Sequence, residues 1–298
     1  MKVVKAIMFS LLSLLGLGII ILFEIKDWPI GSSISGVILG LSIPALWHSI
    51  QDLTDTTKWK ISQRQLLRGG MIKEDTIIRI SFAYLYRIKI DNQYLLIKNA
   101  RGTGKYQPVG GIYKLRENER TELNNLFHIV DDNKVPIDKS SRDDYRLQMA
   151  CRYLRKFVER FNSKKAQRER IDNVSREFRE ELGDIVSWNK IKYRYCGRHM
   201  TELKYGDHFQ CYEFLLADIV ELIPTSEQRD DLEWLKSQKS ELYRFATTEE
   251  IKGLGIIPGT DMLEEWIADH SMKILQENEQ YLMKEPETGK IFEVDFYD

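Results

Sequence analysis

The chain has 298 residues, with 44 Lys or Arg against 45 Asp or Glu, for a net charge of -1. Such a balance supplies no global basic field of the kind that holds duplex nucleic acid, so a duplex-binding protein is excluded. The three cysteines, Cys151, Cys196 and Cys211, are scattered and form no CxxC pair, which fits buried free thiols in a reducing compartment rather than a disulfide scaffold.

At the amino end, Ala6 to Phe23 is an uncharged run of 18 residues rich in Leu and Ile, followed at once by a second uncharged stretch, Trp28 to Gln51. At about 1.5 Å per residue the first run reaches roughly 27 Å, close to the ~30 Å hydrocarbon core. The run exceeds a signal-peptide h-region of about 7–15 residues and no A-x-A-like site precedes Glu24. Residues 1–50 are therefore expected to form a two-helix transmembrane anchor. Lys2 and Lys5 precede the first helix, and Lys58, Lys60, Arg64 and Arg68 follow the second. The positive-inside rule then puts both termini in the cytoplasm. Ser32, Gly36, Gly40 and Pro44 recur every four residues, so one narrow face of the second helix contains a GxxxG pattern. Gly36 and Gly40 would let another backbone approach closely, either the first helix of the same chain or a second copy in a homo-oligomer.

Residues 51–75 read as a polar connector ending near the Gly69-Gly70 hinge. From Ile78 to Ile90 apolar and polar residues alternate with period two, which predicts a half-buried strand. Asp91-Asn92-Gln93 is turn chemistry, and Tyr94 to Lys98 is its returning partner. A glycine-rich segment from Arg101 to Tyr113 holds Pro108-Val109-Gly110-Gly111. Beyond it, Tyr145 to Phe161 has a helical pattern, Ile191 to Tyr195, Phe209 to Leu216 and Glu241 to Phe245 look like strands, and Met262 to Leu275 predicts a final helix before the tail 276–298. Mixed strands and helices without repeats indicate one α/β or α+β unit over 76–275.

The chemistry concentrates in Arg176-Glu177-Phe178-Arg179-Glu180-Glu181-Leu182-Gly183-Asp184. On a helix Glu177, Glu180, Glu181 and Asp184 share one stripe, beside an apolar stripe of Val174, Phe178, Leu182 and Ile185. Like charges at these spacings repel by about 0.2–0.5 kcal/mol per pair, and a hard cation would relieve them. A solvated acidic face is the alternative. These residues resemble the second half of the Nudix box, Arg-Glu-hydrophobic-X-Glu-Glu-X-Gly-hydrophobic. The first half is present but displaced: Gly111 is followed after five residues by Glu117. Arg176 lies 65 positions after Gly111 where the family expects 14, so 51 extra residues fall within an insertion spanning 118–175. Asp184 stands where the family has a hydrophobic residue.

The resemblance implies two N-terminal transmembrane helices plus a cytosolic α/β Nudix fold, a mixed sheet sandwiched between helices. It further implies Glu177, Glu180, Glu181 and Glu117 as ligands of Mg2+ or Mn2+, with Arg176 orienting them, and a phosphoanhydride hydrolase acting on nucleotides. Gly110 and Gly111 would admit phosphates close to the backbone, while Tyr106, Arg101 and Lys105 could stack on a base and meet phosphates. Two helices joined to such a domain resemble the membrane-anchored Nudix effectors of bacterial CBASS antiphage systems. The implied partners are the lipid bilayer, a cyclic oligonucleotide or other nucleotide, and further copies of the chain, at the bacterial inner membrane. A tethered hydrolase and a non-catalytic interaction module are the other two readings.

Overall fold

The computed structural model describes residues 2–26, 29–54, 57–99, 103–116, 118–136, 141–256 and 266–296. It divides into two compact units, residues 1–71 and 72–298.

In the first unit, α1 (Lys2–Ile25) and α2 (Pro29–Thr54) form a helical hairpin, followed by α3 (Lys58–Arg68). Small residues set the α1–α2 contact. Ser13 donates to Ser42 at 3.0 Å, and a side chain at Gly16 would lie 3.1 Å from Leu39. Gly36 and Gly40 have no atom within 4 Å of the space a Cβ would take, so among the described residues the GxxxG face does not pack the two helices together. The transmembrane expectation is overturned: among the described residues no helix is long and apolar enough to cross a membrane. A span needs ~20 consecutive apolar residues, and the two helices carry polar Ser13, Ser35 and Ser42 within their apolar runs. The inner-membrane location with both termini cytoplasmic falls with it.

The second unit is built on β1 (Ile77–Arg87), β2 (Lys89–Ile90), β3 (Gln93–Lys98), β4 (Tyr106–Gln107) and β5 (Gly110–Ile112). There follow α4 (Glu119–Phe127), β6 (Val130–Asp131), β7 (Arg146–Ala150), α5 (Leu154–Asn162) and α6 (Arg176–Leu182). The chain continues through β8 (Lys190–Met200), β9 (Lys204–Gly206), β10 (Cys211–Leu222), α7 (Ser226–Ser237), β11 (Tyr243–Thr247), α8 (Thr248–Lys252) and β12 (Ile291–Asp295). The larger sheet runs β12-β8-β10-β1-β7-β6, with β5 also on β1 and β9 on β10. The smaller is β11-β3-β2, with β4 on β3. β1 and β10 pair in parallel while the remaining ladders are antiparallel, so the mixed-sheet expectation holds.

β1 is central and buried on both faces, not half-buried as its alternation predicts. Its even residues Phe82 and Tyr86 meet α5 and α6, with ring centroids 4.7 Å from Phe161 and 5.3 Å from Phe178. On the opposite face Leu85 joins Leu96, Ile219, Ile251, Ile267 and Ile274. Layers on both faces exclude water, which is why odd positions are buried too. The expected hairpin is present: Asp91 and Asn92 take positive φ of 44° and 64°, the backbone of a two-residue turn between β2 and β3.

Three elements differ from expectation. Tyr145 to Phe161 begins as strand β7, because residues 146–150 pair with β1, and becomes helical only after a 3-10 turn at Cys151–Tyr153. The described end of the last predicted helix is the 3-10 segment Asp269–Ile274, and Met262 lies outside the described residues. The tail supplies β12, an edge strand on β8.

Candidate functional site

Two glycines let the box close on itself. Gly110 has φ 153°, and a Cβ there would lie 2.3 Å from the Tyr84 carbonyl of the paired strand β1. Gly111 is open for a different reason: a Cβ would lie 2.0 Å from Oε1 of Glu177. Glu177 therefore lies directly on the bare backbone of β5. Gly111 and Glu177, 66 positions apart in sequence, are adjacent in space, because the insertion between them folds back through β7 and α5.

Arg176 ties this arrangement together. Its Nη1 donates to Glu177 Oε1 at 2.5 Å and Glu180 Oε2 at 3.4 Å, and its Nη2 donates to the Ile112 carbonyl at 3.0 Å and Glu169 Oε2 at 3.4 Å. Burial alone would lower the pKa of this guanidinium, but Tyr84, Glu169 and Glu177 outweigh it and the net shift is upward. Arg176 is thus a permanent cation holding three carboxylates and one strand.

Glu181 is positioned by the Gly110 N–H, which donates to its Oε2 at 2.9 Å. Burial pushes this carboxyl up to about 8, opposed by that N–H and reinforced by Glu177 and Glu180. Glu177 is raised as well, by burial first, with Arg176 opposing. Glu180 is the exposed member, its side chain 55% accessible. The helix ends at Leu182, where the Gly183 N–H closes on the Arg179 carbonyl at 2.9 Å. Asp184 is consequently off the helix, and the predicted stripe of four carboxylates has three.

The sequence reading missed Glu169. This residue sits near the end of the insertion, where Leu115 and Arg168 form an isolated bridge. It is 3% exposed, accepts from Tyr84 Oη at 3.4 Å and the Lys114 N–H at 3.3 Å, and is raised by burial. A lone Glu seven positions before Arg176 has no sequence signal of its own; only the fold-back brings it in.

The remaining expected residues are placed as follows. Tyr106 is committed to the smaller sheet, with its hydroxyl donating to the Glu241 carbonyl at 3.1 Å and its ring edge-on to Trp266 at 6.1 Å. Lys105 donates its backbone N–H to Thr103 in the preceding turn. Arg101 and Glu117 lie outside the described residues. All three cysteines are free thiols, Cys151 and Cys196 buried and Cys211 half-buried.

Carboxylate oxygens suit a hard divalent ion such as Mg2+ or Mn2+, and Nudix hydrolases generally use divalent ions. Glu117, the fourth expected ligand, lies outside the described residues. Among the described residues no three acidic, histidine or cysteine side chains come together as ligands. Glu177 and Glu180 face the Arg176 guanidinium, and Glu181 is held by an N–H.

No curated protein matches the sequence. Among solved structures a UDP-X diphosphatase is similar at 9% identity and a TM-score of 0.25, over 94% of this chain and 96% of that one, a likeness too low to carry an argument. The family model described as the SMODS-associated NUDIX domain matches residues 77–275, which takes in the displaced glycines, the insertion and the carboxylate helix alike. By that match, over two thirds of its length, the chain belongs to the SMODS-associated NUDIX domain family.

Proposed function

We propose that the domain is the ligand-sensing part of a CBASS-type antiphage effector and binds a nucleotide second messenger without consuming it. The observation that carries this reading is the Arg176 lock. The carboxylates that a Nudix hydrolase would present to a metal are here bonded to Arg176 and to the Gly110 N–H. Acids engaged by a guanidinium and a backbone N–H are less available to a metal that would activate water. The match to the SMODS-associated NUDIX domain supports the nucleotide.

The test is to incubate the purified full chain with a panel of cyclic oligonucleotides and nucleoside diphosphate conjugates, with and without magnesium, and to follow both binding and products. The expected result is saturable binding of a panel nucleotide that is recovered intact. Failure of every panel member to bind would refute the reading.

A second reading, a metal-dependent hydrolase of nucleoside diphosphate compounds, is favoured by Glu181, whose carboxyl at about 8 could exchange a proton near neutral pH. It requires products that appear with magnesium and disappear in Glu180→Gln and Glu181→Gln.

A further inference from the structure

Two cavities share Arg179 of α6 in their walls. The first, about 240 Å³, is lined by the cations Lys114, Arg116, Arg176 and Arg179, with Glu169 and Asp295 as its acids. Two of these cations are ion-paired, Lys114 to Asp144 and Arg176 to Glu169, Glu177 and Glu180, which leaves Arg116 and Arg179 to carry the positive charge of the cavity. Arg116 is exposed, and Nε of Arg176 is buried without a hydrogen-bond partner among the described residues. The second cavity, about 260 Å³, is aromatic, with Phe178, Trp188 and Phe296 in its wall. Trp188 stacks on Phe178 at 5.7 Å and 26°, and its indole N–H donates to Asp231 at 2.8 Å, which fixes the ring plane.

Arg179 lines both cavities and donates to the Phe296 carbonyl at 2.7 Å, so it is the wall between them and ties β12's end to α6. Together they fall within the ~300–1,000 Å³ of small-molecule sites. Guanidinium groups suit phosphate, and a fixed aromatic plane suits a nucleobase.

We propose that this cavity pair is a nucleotide-binding site, with phosphate against Arg116 and Arg179 and the base against Trp188 and Phe296. The proposal rests on the nucleotide-sensing reading and moves its binding surface from the glycines of the box to the cavities that Arg179 joins. Arg116 lies in the first half of the box and Arg179 on its helix, while Glu169 of the insertion and Asp295 and Phe296 at the end of β12 complete the walls.

The test uses the full chain and three calorimetric probes: ADP, adenosine and inorganic pyrophosphate. Arg116→Glu should weaken ADP and pyrophosphate about tenfold or more, the loss of one charge-assisted contact, and leave adenosine unchanged. Trp188→Leu should weaken ADP and adenosine by a similar factor and leave pyrophosphate unchanged, while Trp188→Phe, which keeps a stacking ring, should restore binding. Wild-type affinity for ADP in both Arg116→Glu and Trp188→Leu would overturn the proposal, as would a wild-type chain that binds neither ADP nor pyrophosphate. If a cyclic oligonucleotide binds the wild type and both variants equally, the sensing reading stands and this site falls. If pyrophosphate alone binds and no nucleotide does, both fall.

Discussion

A single hydrogen at Gly111 decides whether the box can form. Glu177 occupies the space of the missing side chain, so Gly111→Ala must displace either the carboxylate or β5. Overpacking of this kind costs about 1–3 kcal/mol, and Gly111→Ala should lower the denaturation midpoint accordingly in chemical unfolding. His199 has a different sensitivity. Its Nδ1 is buried without a partner among the described residues, and burial first, then Lys273, lowers its pKa to about 4. The unfolded chain takes up a proton near pH 6.5 that the folded chain refuses until about 4. Stability is therefore fully present above pH 6.5 and lost as pH falls towards 4, at no more than about 1.4 kcal/mol per pH unit for one group. His199→Gln should flatten that limb of a stability-versus-pH curve; identical slopes in variant and wild type would show that His199 does not contribute.

Among the elements, α4 and α5 are held together by a charge rather than by packing alone. Glu119 on α4 is fully buried and accepts from Arg160 of α5 at 2.9 and 2.6 Å, and from the Gln167 N–H at 2.8 Å. Burial would raise this carboxyl, but Arg160 and Gln167 more than offset it and the net shift is downward. Removing the cation leaves an uncompensated buried acid, so Arg160→Met is expected to cost about 3–5 kcal/mol, measurable as a large fall in the unfolding midpoint. A loss below about 1 kcal/mol would mean the pair behaves as a surface contact. Of the two, α5 falls in the Tyr145 to Phe161 stretch whose pattern is helical in sequence, and α4 lies outside it. Arg160 and Glu119, 41 positions apart, gave no hint of pairing because nothing local links them.

Across the second unit, Asp218 connects distant parts of the chain. It lies on β10 at 1% exposure, accepts two bonds from Arg198 on β8 at 2.7 and 2.9 Å, and accepts from Tyr113 and Tyr195, each at 2.7 Å. Arg198 also meets Glu285 of the tail at 3.2 Å. Asp218→Ala should therefore destabilise by about 3–5 kcal/mol, since it strands a buried cation; a single cooperative thermal transition shifted downward is the expected record. The residues that carry the box were legible from the chain alone, because Arg176, Glu177, Glu180, Glu181 and the two glycines are short-range patterns of charge and missing side chain. The Asp91-Asn92 hairpin was legible for the same reason, as turn chemistry is local. The amino-terminal helices were legible as helices, but hydropathy carried them to a membrane span that the described residues do not support. Glu169 under Arg176, β12 on β8, strand β7 inside a helical pattern and the cation cavity beside an aromatic slot were settled by tertiary structure. Each depends on which distant segments share a surface, and a pairing across the sheet or a fold-back of fifty residues leaves no periodicity in either partner for a sequence to display.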